Sequence, residues 1–218
     1  MNRTIGIIVA ALGLSLASGT RAQEPTGTLK KIKDDGVIVL GYRDSSVPYS
    51  YVAQGNEVVG YSHEFALKIV EQVKKAVGNP NLTVRLVPIN AQNRITLMQN
   101  GTIDLECGGT SNTADRRKQV EFSDSLSITQ ARLLTRKESG VKEWSDLPNK
   151  TVVVTAGTTS ERFLREYLDK THAPITVVSA KDHAQAFILL QSGRAAAFFM
   201  ATAIGIGLPD RGGEEPPS

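Results

Sequence analysis

Short apolar runs alternate with amphipathic helical patterns along most of this chain, and that alternation restricts its fold more than any other feature. "VIVLGY" (37–42), "TVRLVPI" (83–89), "IDLECGG" (103–109), residues 151–155, "ITVVSA" (175–180) and "AAAFFM" (195–200) read as strands, rich in β-branched and apolar residues. Between them lie helical patterns. "TLKKIKDDG" stops at Gly36, and "SHEFALKIVEQVKKAV" (62–77) has Ser62 as its expected cap and Phe65, Ile69, Val70, Val73 and Val77 along one face. Residues 92–100, a helix starting in "TADRRKQV" (113–120) with Thr113 as its expected cap, and residues 159–169 and 182–193 complete the set. Strands that alternate with helices form βαβ units, so the expected class is α/β with mostly parallel sheets. Two such sets flank "ITQARLLT", read as a crossing strand. The expectation is two lobes, residues 28–126 and 127–200.

One junction points to chemistry. "VVVTAGTTSERFL" (152–164) runs from strand through Gly157 into three hydroxyl residues, Thr158, Thr159 and Ser160, and then a helix. A helix start leaves amides unpaired and carries partial positive charge, so it suits an anion.

The first residues bear on compartment. Arg3 precedes an uncharged run of about 16 residues, too short for the ~20 that span a bilayer, and small residues follow. Residues 1–22 are therefore expected to be an export signal cleaved after about Ala22, with the mature protein soluble and periplasmic. Over the full chain 25 basic residues face 22 acidic ones. Arg3 and Arg21 leave with the signal, so the mature charge is nearly balanced. No basic tract with interleaved aromatics occurs, which argues against nucleic-acid binding. The single cysteine, Cys107, excludes an internal disulfide. His63, His172 and His183 have no metal-ligand spacing, and neither metal nor cofactor is expected.

In open α/β sheets ligands sit beyond the C-terminal ends of strands. Arg43 follows the first strand, Arg94 follows 83–89, Thr110 and Arg116 follow 103–109, and His183 follows 175–180. Arginine forks suit carboxylates, and several of them with a helix-start nest suit a ligand with two.

These stretches also carry a resemblance. "LGYRDSSVPYSY", "NAQNRITLMQNGTIDLECGGTSNTADRR", "VVVTAGTTSE" and "SAKDHAQAFILLQSGRAAAFFM" resemble the glutamate/aspartate-binding proteins. These are periplasmic components of ABC transporters in the extracellular solute-binding protein family 3. The likeness runs over about residues 28–200 and implies a type II two-lobed periplasmic binding protein fold. It implies that Arg116, with Thr110, Thr158 and Thr159, holds a ligand α-carboxylate. Arg43, Arg94 and His183 are implied to surround the side-chain carboxylate. L-Glutamate or L-aspartate is the implied ligand, an inner-membrane permease the implied partner, and a monomer the implied state. Gly109 and Ala91 stand where the family pattern has serines.

The resemblance fails after Met200. The family's acidic pair, implied to anchor the ligand ammonium, is replaced by Ala201-Thr202, and residues 201–218 fill with Gly, Pro and Glu. The expectation is a disordered tail, an incomplete lobe one and a chain truncated relative to the family. Two alternatives follow: a nonfunctional fragment, or a periplasmic dehydratase on the same scaffold. The second lacks an acid/base pair at the matched positions, so the chain is read as a non-enzyme.

Overall fold

The computed structural model describes residues 24–208. Helix α1 (Gly27–Asp35) ends at Gly36, whose φ of 67° is the left-handed cap that glycine adopts without strain, and the chain enters β1 (Val37–Arg43) directly. Next come β2 (Ser45–Ser46), β3 (Ser50–Val52) and β4 (Val58–Val59), which form a small antiparallel sheet in the order β2-β3-β4. The sequence reading has no counterpart for it, because strands of two or three residues carry no readable period. After it come α2 (Tyr61–Val77), β5 (Thr83–Ile89), α3 (Arg94–Gln99), β6 (Leu105–Glu106) and α4 (Ala114–Arg117).

Strands β5, β1 and β6 form a parallel sheet in that order, with Val37 opposite Thr83 and Arg43 opposite Ile89. Because β1 is central, both its faces are covered. Ile38 and Leu40 pack on Ile32 of α1 and on Ala66, Val70 and Val77 of α2. Val39 packs on Ile89 and Ile103 across the sheet. This explains why "VIVL" is apolar throughout.

Residues 123–130 are all exposed and carry no regular structure, and they lead to the second lobe. There β7 (Ala131–Thr135), β8 (Thr151–Thr155), α5 (Thr159–Thr171), β9 (Thr176–Ala180), α6 (His183–Gln191) and β10 (Ala197–Ala201) precede a last helix, α7 (Thr202–Gly207). The sheet order is β7-β10-β8-β9, with β7 antiparallel to β10 and the other pairs parallel. Val152 and Val154 pack on Leu164 and Leu147, while Val153 and Phe198 pack on Ala186 and Leu190.

Several expectations need correction. Ser62 does not cap α2. Gly60 does, at φ 119°, and the amides of Tyr61, Ser62 and His63 donate to the carbonyls of Pro48 and Tyr49 instead. A Cβ at Gly60 would lie 2.5 Å from the Tyr49 carbonyl oxygen, so only glycine permits this approach. The strand expected over 103–109 is ladder-paired only at Leu105–Glu106. Phe65, expected in the core, is 41% exposed and with Ile69 faces a groove of about 980 Å³ that Met98 and Phe122 also line. Among the described residues nothing covers that side of lobe one, and Ile128 is 96% exposed beside it. The expected disordered tail instead begins with α7, whose Ile204, followed by Leu208, joins the lobe-two core. Residues 209–218 and the expected export signal, 1–22, lie outside the described residues.

Candidate ligand-binding site

The lobes meet over the C-terminal ends of their strands. Gly157, at φ 75°, presses so closely on Ala91 and Gln92 of lobe one that a Cβ would meet their backbone at 2.8 Å. Arg116 bridges the gap: Nη1 donates to Ser111 O and Nη2 to Gly157 O, both at 3.1 Å. Ala184 N donates to Ser45 Oγ across the same seam, at 3.4 Å. This is a closed arrangement.

It encloses a cavity of about 60 Å³. Two of its walls are charged. Arg43, the last residue of β1, is 2% exposed, and Arg94, the first residue of α3, is 4% exposed with Nε and Nη1 buried and unpartnered. Burial lowers both guanidinium pKa values, that of Arg94 to about 10, with the Glu106 carboxylate as the largest opposing influence on each. Gly108 makes room for this pair, since a Cβ there would meet both Arg43 Cγ and Glu106 Oε1 at 2.5 Å.

Lobe two supplies neutral donors. Thr158 caps α5, its hydroxyl donating to Thr155 O at 2.7 Å and accepting from Glu161 N at 3.2 Å. Glu161 fixes the turn in return, with Oε2 accepting from Gly157 N at 2.8 Å. Thr159 and Ser160, whose amides precede the first intrahelical acceptor, line the cavity. His183 is 6% exposed, with Nδ1 in a 2.7 Å hydrogen bond with Thr155 Oγ1. Burial first, then Arg43 and Arg94, depress its pKa to about 3, so the imidazole is neutral at neutral pH.

Of the residues singled out from sequence, Arg43, Arg94, Thr158, Thr159 and His183 line this one cavity. Two do not. Arg116 is engaged with the two carbonyls of the seam, and Thr110 donates its hydroxyl to Glu106 Oε2 at 2.6 Å and faces the larger groove. Sequence reasoning missed Tyr49, whose ring lies under Gly109, and the wall that Phe199, Met200 and Ile204 form beside Ala201. "VPYS" offers no period for Tyr49, and Met200 reads only as strand core. Cys107 is half-buried and its pKa is raised to about 11, chiefly by burial, which keeps the thiol unreactive.

The family model of bacterial extracellular solute-binding proteins, family 3, matches residues 38–195, which hold every cavity residue named above except those of the Phe199–Ile204 wall. The chain belongs to that family. It is 47% identical over 199 residues to the glutamate/aspartate import solute-binding protein of Escherichia coli K12, which covers 91% of this chain and 66% of that protein. It is 48% identical over 198 residues to the L-glutamate/L-aspartate-binding protein of Pseudomonas aeruginosa PAO1, covering 90% and 65%. The chain thus spans about two thirds of the length of these relatives. Among solved structures it resembles an ancestral amino acid-binding protein, a precursor of cyclohexadienyl dehydratase, with 26% identity and a TM-score of 0.72 over 82% of this chain and 75% of that one. A solute receptor for L-cysteine from Neisseria gonorrhoeae, at 24% identity, shares the fold with a TM-score of 0.74 over 86% of this chain and 73% of that one. The fold is the two-lobed type II binding-protein fold with lobe one incomplete.

Proposed function

We propose that this chain captures a small acidic solute between its lobes for import through an inner-membrane ABC permease. Glutamate and aspartate are the solutes its relatives' names specify. The observation that carries the reading is the unpartnered guanidinium of Arg94, buried beside Arg43 in a cavity between the lobes. A buried cation without a partner costs several kcal/mol, of order 3–5, and a ligand carboxylate removes that cost. Neutral analogues would leave the two arginines unpaired, so selectivity for acids follows from desolvation.

Capture proceeds without chemistry. A histidine with a pKa of about 3 is a poor general base near neutrality, and its role here is that of a neutral hydrogen-bonding wall. The solute favours the closed arrangement because the Arg43–Arg94 wall and the Thr158–Ser160 turn reach it together only there. The closed form is the one presented to the permease in the periplasm. Calorimetric titration of L-glutamate, L-aspartate, L-glutamine and L-asparagine tests the reading. The acids are expected to bind at least tenfold tighter than their amides, and equal affinities would overturn it.

A further inference from the structure

Glu106 stands behind the arginine wall. It is the last residue of β6 and lies opposite Gly41 of β1, so strand alternation puts it on the sheet face that carries Arg43. Gly108, which lines the cavity, separates the two side chains. A single β-carbon there would meet Arg43 Cγ and Glu106 Oε1, each at 2.5 Å, so these atoms are near neighbours across it. Glu106 Oε2 accepts from the Thr110 hydroxyl at 2.6 Å, which holds the carboxylate in place, while Oε1 is buried without a partner. Nε and Nη1 of Arg94 are buried without partners as well. Glu106 therefore acts on the two guanidiniums through space rather than through a hydrogen bond, and it is the largest influence favouring the charged form of each. The other acids that act on Arg43 do so less: Asp44 is exposed, and Asp182 caps α6 by accepting from Gln185 N at 2.8 Å.

Two guanidiniums and one carboxylate leave one net positive charge at this wall, and His183, being neutral, adds none. An α-amino acid with a carboxylate side chain carries one net negative charge, and its amide carries none. Resting on the acid-binding reading above, we propose that Glu106 is a specificity-determining residue that matches the Arg43–Arg94 wall to a solute of one net negative charge. Its carboxylate cancels one guanidinium and so limits the hold on an acidic solute, which must be released as well as captured. A charge this close to a desolvated site acts strongly on an anionic solute and weakly on one without net charge.

The test measures the affinities of L-glutamate and L-glutamine by calorimetric titration of the full chain and of Glu106→Gln, at one pH and salt concentration. The substitution keeps an acceptor for Thr110 and removes the charge. The ratio of the two affinities is expected to rise at least tenfold, about 1.4 kcal/mol, through tighter binding of L-glutamate. The melting temperature of the empty variant is expected to fall, because the buried arginines lose their counter-ion. Stability and acid affinity then move in opposite directions, which a merely structural role does not produce. Glu106→Asp keeps the charge and draws it back by one methylene, so an intermediate ratio is expected; it decides the matter where Glu106→Gln does not fold. An unchanged or lowered ratio in the folded variant, or a rise that comes only from weaker L-glutamine binding, would overturn the inference and leave the acid-binding reading standing. An unaltered protein that binds L-glutamate no tighter than L-glutamine would overturn both.

Discussion

Replacing Arg94 with methionine should make the empty protein more stable and unable to respond to its solute. The unaltered side chain holds a buried guanidinium with two nitrogens lacking partners, and Arg43 repels it while Glu106 attracts it. Each unsatisfied buried donor costs about 1–3 kcal/mol, and the attraction of Glu106 offsets part of the total. Methionine has a similar reach and no donors, and it also relieves the repulsion on Arg43. The slightly smaller volume opens onto an existing cavity, so the packing loss is small. A net gain of about 1–3 kcal/mol follows, and at ~2–4 °C per kcal/mol for a chain of this size the melting temperature of Arg94→Met should rise by about 2–12 °C. The solute response runs the other way. At a ligand concentration of 100 Kd the unaltered protein gains about 2.7 kcal/mol, and the variant should gain nothing measurable. Differential scanning fluorimetry with and without an acidic solute reads both effects. A melting temperature lower than that of the unaltered protein, or a ligand shift that survives the substitution, would refute the argument that Arg94 is a destabilising group held for its ligand.

Three further outcomes are expected. Gly157→Ala forces a β-carbon against Ala91 at a positive φ, so it should oppose closure and weaken solute binding tenfold or more by calorimetry, about 1.4 kcal/mol, with denaturant stability changed less. Arg116→Ala removes the bridge to Gly157 and Ser111, so it should weaken every acidic solute by a similar factor, whereas Arg43→Ala should weaken acids more than their amides. For His183 the folded pKa of about 3 lies below the ordinary 6.5, so between those values the unfolded chain binds the extra proton. The contribution of His183 is complete above about pH 6.5 and is lost as pH falls toward 3, at up to ~1.4 kcal/mol per pH unit. Urea midpoints at pH 7 and pH 5 should therefore differ less in His183→Gln than in the unaltered protein.

The α/β alternation was legible because the central strands β1, β8 and β10 are covered on both faces and so read as unbroken apolar runs. The site was legible wherever a charged or hydroxyl residue directly follows such a strand, as Arg43, Arg94 and the Thr158–Thr159 turn do. What escaped depends on tertiary contact. Arg116 looks the same in sequence whether it grips a ligand or the carbonyl of Gly157, and only the approach of the lobes separates the two. The start of α2 was misplaced because its amides are met by the Tyr49 carbonyl rather than by a side chain. Phe65 and Ile69 keep the helical period, yet a period says which face is apolar and not whether anything covers it. "ATAIGIGL" lacked a recognisable pattern because its small residues pack by close approach, as Gly207 does on Val47, rather than by an amphipathic stripe.

The exposed segment 123–130 is the only covalent path between the lobes among the described residues. Irregular and solvated, it is the kind of backbone that proteases cut first. One cut there would turn an intramolecular closure, driven by a local concentration in the millimolar range, into an encounter between two separate pieces. While a solute is held, Arg116 and Gly157 keep those pieces together, so the nick is silent. Once the solute leaves, only the contacts of the seam would oppose separation of the pieces. The working lifetime of such a molecule among proteases is thus coupled to how often it is occupied.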